Sequence, residues 1–237
     1  SIEEHTTMLS GVCMETIAFL GCSRGLGRAV ALECSARSLF GKKILVARKR
    51  DKLESLEKEI QESPELRVCD FSKSDDVESL LEELIRLKVE RVFYSVAGGT
   101  IRPYEKKKWK VQKCPIQVSL LTPARILHEL MNKHGGLKQF VVVGSLIADA
   151  KADPGAASYS SAKHGLKGLV ESINGESGSV DLRIFRPGYM DTELLPIQSK
   201  PRKEGVSLLN PKEASKAFVD WVLDPNGEKN LDLEAPG

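Results

Sequence analysis

The chain has 237 residues, 41% of them hydrophobic and 29% charged, a size and composition that suit one soluble α/β domain around a single core. With 35 Lys and Arg against 33 Asp and Glu the formal net charge is only +2, so bulk charge gives no reason to expect nucleic acid or an anionic membrane as partner. Five cysteines without a C-x-x-C pair (Cys13, Cys22, Cys34, Cys69, Cys114) and four histidines without ligand spacing exclude a zinc site, another metal site or a disulfide framework as an expectation, and fit a reducing cytoplasm.

Residues 1–14 are polar and irregular and read as an N-terminal extension, in part disordered, leaving one domain over residues 15–237. The N-terminus lacks the basic-then-apolar plan of a signal peptide, and no apolar run is longer than a strand. The first strand is predicted at residues 16–20, followed by short apolar runs at 44–47, 66–69, 92–96, 140–143 and 182–185. Between and after them, residues 24–39, 52–62, 75–87, 123–133, 158–173 and 211–223 carry helical periodicity. Ser74 before Asp75-Asp76 and Asn210 before Pro211 mark helix starts. Such alternation predicts a single doubly wound parallel sheet with helices on both faces. Residues 193–210, with two prolines, a glycine and the basic residues Lys200, Arg202 and Lys203, read either as a flap over a site or as a solvated loop.

Between the first strand and the first helix lies Gly21-Cys22-Ser23-Arg24-Gly25-Leu26-Gly27, the position of a dinucleotide fingerprint in a Rossmann-type sheet. Glycines there let the backbone turn tightly and approach a pyrophosphate, which the helix N-terminus then stabilises. An NAD site would place Asp or Glu at the end of the second strand; this chain has Ala47-Arg48-Lys49-Arg50. Guanidinium and ammonium groups at Arg24, Arg48 and Lys49 suit the 2′-phosphate of NADP(H) instead. Asp70, ending the third strand, can accept from the adenine amino group or simply shape a turn.

Tyr159-Ser160-Ser161-Ala162-Lys163 places a phenol and an ammonium four residues apart, on one face of a helix. Bringing a tyrosine from its usual value of about 10 to near neutrality requires roughly 4 kcal/mol. A cation about 4 Å away at an effective dielectric of about 20 supplies roughly that much before desolvation opposes it. Tyr159 is therefore expected to exchange protons near neutral pH.

The glycine loop, Gly144-Ser145 at the end of a strand, Tyr159-x-x-x-Lys163 and Arg186-Pro187-Gly188-Tyr189-Met190-Asp191-Thr192 follow one another in an order that resembles the short-chain dehydrogenase/reductase family from about residue 17 to the C-terminus. The resemblance implies that Ser145 polarises a substrate carbonyl, Tyr159 gives or takes its proton, and Lys163 holds the nicotinamide ribose while assisting Tyr159. It implies also that Pro187, Gly188 and Thr192 line the nicotinamide, and that Gly21, Ser23, Gly25, Leu26, Gly27, Ala97 and Gly98 contact the cofactor.

Several positions depart from the family pattern. Leu20 stands where the family has Thr, and Ser95-Val96-Ala97-Gly98 replaces Asn-Asn-Ala-Gly, keeping the backbone feature while losing the side-chain hydrogen bonds. The family's fourth catalytic residue, an asparagine holding a relay water, falls at Ser119, with Gln117 as the less favoured match. The reaction implied is hydride transfer between NADP(H) and a carbonyl or alcohol. The alternative is a non-catalytic NADP(H)-sensing protein on the same fold, for which the missing asparagine argues. The extended epimerase and dehydratase relatives carry a larger C-terminal domain than the about 45 residues after Thr192 allow. Residues 100–113, 146–157 and 193–210 would set the small-molecule substrate. Lys106-Lys107-Lys108 reads more readily as a solvated run than as an anion site. The family resemblance implies a homodimer or homotetramer.

Overall fold

The computed structural model describes residues 14–99, 101–149, 153–176 and 178–236. Nearly all of the N-terminal extension, Thr100 and residues 150–152 of the predicted substrate loops lie outside the described residues. Seven parallel strands form one sheet: β1 (Thr16–Leu20), β2 (Lys42–Ala47), β3 (Glu65–Val68), β4 (Arg91–Tyr94), β5 (Gln139–Val143), β6 (Asp181–Pro187) and β7 (Asn230–Leu233), in the order β3-β2-β1-β4-β5-β6-β7. The helices are α1 (Gly25–Ala36), α2 (Arg50–Glu57), α3 (Ser74–Arg86), α4 (Trp109–Ile116), α5 (Thr122–Lys133), α6 (Ala157–Asn174), the single turn α7 (Lys200–Lys203) and α8 (Pro211–Leu223).

Alternation along the central strands sorts their side chains into two cores. Ala18, Leu20, Val92, Tyr94, Phe140, Val142, Leu182 and Ile184 pack under α3, α5 and α6. Ile17, Phe19, Phe93, Val141 and Phe185 face α1, α2 and α8. This is the two-residue period of a sheet covered on both faces. In the second core Phe218 of α8 sits 4.5 Å from Phe93, 5.5 Å from Phe185 and 5.8 Å from Trp221, ring centre to ring centre. From β1 the chain winds outward through β2 and β3, then returns to place β4 on the other side. The crevice beyond the C-terminal ends of β1 and β4 is therefore the topological switch point at which such sheets bind ligands.

Three elements differ from the expectation. Strand β7, Asn-Leu-Asp-Leu, pairs only with β6 at the sheet's edge and has none of the long apolar run of a central strand. Helix α4 contains Pro115, whose missing N–H and bulky ring oppose a regular ladder, and the chain widens into a π turn at Gln117–Leu121 before continuing as α5. Ser74 is the first residue of α3 rather than its cap, and the Asp76 carboxylate instead receives the Asp70 N–H at 2.9 Å. Asn210 does cap α8, accepting from the Lys212 N–H at 2.8 Å.

Candidate active site

At the C-terminal end of β1, Gly21 turns at φ +96° and donates its N–H to the Val46 carbonyl at 2.8 Å. A Cβ at Gly21 would lie 2.8 Å from the Val96 backbone nitrogen, so only glycine fits the approach. Gly25 turns at φ +55° and starts α1, whose first turn holds no acidic residue and whose N-cap, Arg24, makes no side-chain cap. The positive end of α1 and its leading N–H groups therefore remain available to an anion. At Gly27, inside α1, a Cβ would fall 2.6 Å from the Gly21 carbonyl and strike the Ser95 hydroxyl. Ser95 itself donates within 3.2 Å of both the Leu20 and Gly21 carbonyls. The expectation that Ser95 loses the side-chain hydrogen bonds of the family's asparagine is thus corrected: a hydroxyl this close to the loop reaches the carbonyls directly.

Arg48 and Lys49 stand exposed just beyond β2, with no carboxylate at the strand's end. Asp70 shapes a turn: its Oδ1 accepts from the Ser72 N–H at 3.0 Å and the Ser72 hydroxyl at 2.7 Å. Burial opposes ionisation of Asp70, but these bonds and the nearby charges of Arg48 and Lys73 outweigh it and hold the carboxyl below its usual value. Arg24 is engaged by Glu193, Nη1 to Oε2 at 2.8 Å. Cys22, beneath the loop, is a buried thiol pushed up to about 12 by desolvation, and so is chemically quiet.

Across the switch point, β5 ends at Val143 and Ser145 caps a 3₁₀ turn, its Oγ accepting from the Ile147 N–H at 3.3 Å. Helix α6 brings Tyr159 back over this turn, near enough for the Ser145 hydroxyl to favour its ionised form. Four residues on, Lys163 is 1% exposed; its ammonium donates to the Val143 carbonyl at 2.6 Å and lies 5.5 Å from the centre of the Tyr159 ring. Desolvation pushes Lys163 down to about 8. Burial pushes the Tyr159 phenol up, and the Ser145 hydroxyl offsets only part of that. The expected lowering of Tyr159 towards neutrality is therefore corrected for the protein by itself. Spacing places the two groups side by side, but the same enclosure that brings them together disfavours both charges.

The π turn presses against α6, where a Cβ at Gly165 would meet Leu120 at 2.8 Å. Within it Ser119 is 1% exposed, and its Oγ has no protein partner among the described residues. Gln117 points elsewhere, bonding Thr122 at 3.2 Å. Gly98 and Gly99 run between this turn and α6, with space at Gly99 for a Cβ only 3.5 Å from that of Tyr159. The Pro187-Gly188 step is held by β7 through Gly188 N–H to Leu233 at 2.8 Å, and Thr192 faces Gly25 across 3.4 Å of the space a Cβ would take. Residues 193–210, read as a flap or a solvated loop, are mostly exposed and tied at a few points: Met190 and Leu209 form a bridge, Ser199, Pro201 and Leu209 are buried, and Arg202 ties Asp191 at 2.8 Å.

Sequence reasoning missed the supports of this site. Arg186, buried at the end of β6, pairs with Asp232 at 2.7 Å and with Asp149, which also binds Lys167 of α6. This network holds the turn after Ser145 against the helix that carries Tyr159. On the other side Lys107 donates to the Gly155 carbonyl at 2.8 Å, Gln112 to the Tyr104 carbonyl at 2.8 Å, and Gln112 also bonds Ser158. Apart from Gln112 and Tyr104, the partners lie far apart in the chain, and no local spacing announces them.

A family profile described as short chain dehydrogenase matches residues 15–203. An uncharacterized oxidoreductase of Mycobacterium tuberculosis is 27% identical over 90% of this chain and 91% of its own length. A 3-oxoacyl-[acyl-carrier-protein] reductase of Rickettsia prowazekii is 20% identical over 81% and 79%. Among solved structures, an alcohol dehydrogenase from Thermococcus sibiricus complexed with 5-hydroxy-NADP superimposes with a TM-score of 0.78 at 26% identity, over 93% of this chain and 95% of that one. The Brucella melitensis 3-ketoacyl-(acyl-carrier-protein) reductase complexed with NADH shares the fold with a TM-score of 0.78 at 18% identity, over 92% and 96%. With the glycine cradle, the Ser-Tyr-Lys cluster and the doubly wound sheet in place, the chain belongs to the short-chain dehydrogenase/reductase family of nicotinamide-dependent oxidoreductases.

Proposed function

We propose that the protein reduces a carbonyl compound with NADPH, with Tyr159 as the proton donor. The observation that carries this reading is the gathering of Ser145, Tyr159 and Lys163 beyond the C-terminal end of β5, two strands from the glycine cradle after β1. The cofactor supplies the hydride, from nicotinamide C4 to the carbonyl carbon. Ser145, whose oxygen already accepts from Ile147, has its own proton to donate to the carbonyl oxygen. Tyr159, kept protonated by its enclosure, gives that oxygen its proton as negative charge develops on it. Lys163, fixed through Val143, presents its remaining N–H donors to the nicotinamide ribose and places positive charge beside the forming phenolate. Ser119 stands in for the family's asparagine by holding a water that returns the proton, a use for a buried oxygen that has no partner among the described residues.

NADP(H) rather than NAD(H) rests on Arg24, Arg48 and Lys49, and on the absence of a carboxylate after Ala47. The related structures include both NADP and NADH complexes, so the preference is argued from these residues alone. Gly21, Ser23, Gly25, Leu26 and Gly27 receive the pyrophosphate side, Asp70 keeps Oδ2 for the adenine amino group, and Ala97, Gly98, Pro187, Gly188 and Thr192 enclose the nicotinamide side. The test is a panel of aldehydes and ketones with NADPH, for wild type and Tyr159→Phe. Turnover in the wild type and its loss in a variant that still binds NADPH supports the reading. NADPH binding without turnover of any carbonyl would favour a cofactor-sensing role.

A further inference from the structure

Glu193 follows Thr192 directly, at the point where the strap after β6 crosses the cofactor loop. It reaches over to Arg24, the residue that opens α1, and forms an ion pair of 2.8 Å between chain segments 169 residues apart. Both side chains are solvent-facing, 52% and 73% exposed. The Glu193 carboxyl is held below its usual range first by its hydrogen bond to Arg24 and then by the charge of that residue, with Lys52 and Lys49 adding to it. Glu193 thus brings a carboxylate to the start of α1, whose first turn has no acid of its own. The strap that carries it is anchored on either side of Glu193: Arg202 donates to the Thr192 carbonyl at 3.3 Å and pairs with Asp191, and Leu209 donates to the Tyr189 carbonyl at 2.8 Å.

We propose that Glu193 is an internal competitor for the 2′-phosphate of NADP(H), and so a residue that sets the cofactor preference. The inference rests on the NADP(H) reading above. Glu193 engages Nη1 of Arg24, so a phosphate that takes both arms of the guanidinium fork must displace the carboxylate from Nη1. An exposed pair is weak and a dianionic phosphate displaces it readily, so the cost to binding is that of breaking the pair. That cost falls on NADP(H) alone. NAD(H), lacking the phosphate, does not compete for Arg24, and the pyrophosphate common to both cofactors meets the Glu193 charge equally in each.

The test is a set of dissociation constants for NADPH and NADH, read from nicotinamide fluorescence, for wild type, Glu193→Gln, Arg24→Ala and the double variant. Removing the carboxylate is expected to tighten NADPH about two- to five-fold more than NADH, the range of an exposed ion pair. In the Arg24→Ala background the same substitution is expected to change the ratio of the two constants by less than about 1.5-fold, because the competed group is gone. A wild type that prefers NADPH, with a ratio unmoved by Glu193→Gln, overturns the competitor and leaves the cofactor reading standing. Equal tightening of both cofactors, or a change of the ratio that survives Arg24→Ala, also overturns it, since Glu193 would then act other than through Arg24. A wild type without NADPH preference that gains none on Glu193→Gln overturns both.

Discussion

Lys163 offers a test of the site that needs neither substrate nor cofactor. It is 1% exposed, its ammonium donates to the neutral Val143 carbonyl, and desolvation takes it from 10.5 to about 8. At neutral pH the folded protein must therefore hold a buried charge, at a cost of about 3 kcal/mol. The sign follows from proton counts. Below pH 8 both folded and unfolded chains carry the Lys163 proton, and the penalty is complete. Between about 8 and 10.5 the unfolded chain still binds a proton that the folded one has released, so stability rises with pH. By pH 10 about 2.5 kcal/mol of the penalty is relieved. Lys163→Met keeps the aliphatic stem and removes the charge, at the expense of an unsatisfied Val143 carbonyl worth about 1–3 kcal/mol. Urea unfolding of wild type and variant at pH 7 and pH 10 isolates the residue, because other titrating groups cancel in the difference. Wild type is expected to gain about 2.5 kcal/mol on the variant across that interval. A difference that stays constant within the error of the extrapolation would refute the claim that enclosure depresses Lys163.

Other expectations follow from the same geometry. Gly27→Ala drives a methyl into the Gly21 carbonyl, and is expected to lose about 1–3 kcal/mol of stability together with cofactor binding. Adding Ser95→Ala should recover only part of this, since the carbonyl remains; unfolding and cofactor titrations of the two variants decide it. Phe218→Ala empties a site shared by three other rings and is expected to cost about 3–5 kcal/mol by urea unfolding, through a cavity far from the crevice. Ser119→Ala removes a buried hydroxyl that has no partner among the described residues, so stability should be kept while the turnover rate falls at constant KM; an unchanged rate would remove Ser119 from proton return.

The parts of the molecule that were legible in the sequence are those written locally. Ile17 to Leu20, Val92 to Tyr94 and Phe140 to Val142 announce buried strands because every residue faces one core or the other. The Tyr159 and Lys163 spacing is legible because a helix puts residues four apart on one face. Asn-Leu-Asp-Leu at β7 carries no such run, since an edge strand with one neighbour needs none. Helix α4 is hidden by Pro115 and by a lysine-rich start that has no periodic apolar face. In the site, spacing gave the pairing of Tyr159 with Lys163 but the wrong direction for the tyrosine, because burial is a property of the assembled fold. The Arg186 pairs with Asp149 and Asp232, and the reach of Glu193 to Arg24, join segments that only the sheet order brings together.

The most direct measurement of the central claim is transfer of label from NADPH carrying deuterium at both nicotinamide C4 positions, followed by mass analysis of the alcohol formed from the carbonyl panel. The expected result is one deuterium on the former carbonyl carbon with wild type, and loss of the labelled product with Tyr159→Phe although NADPH binding persists. Labelled NADPH that binds in the crevice without passing deuterium to any carbonyl, or a Tyr159→Phe variant that transfers it at the wild-type rate, would contradict the account.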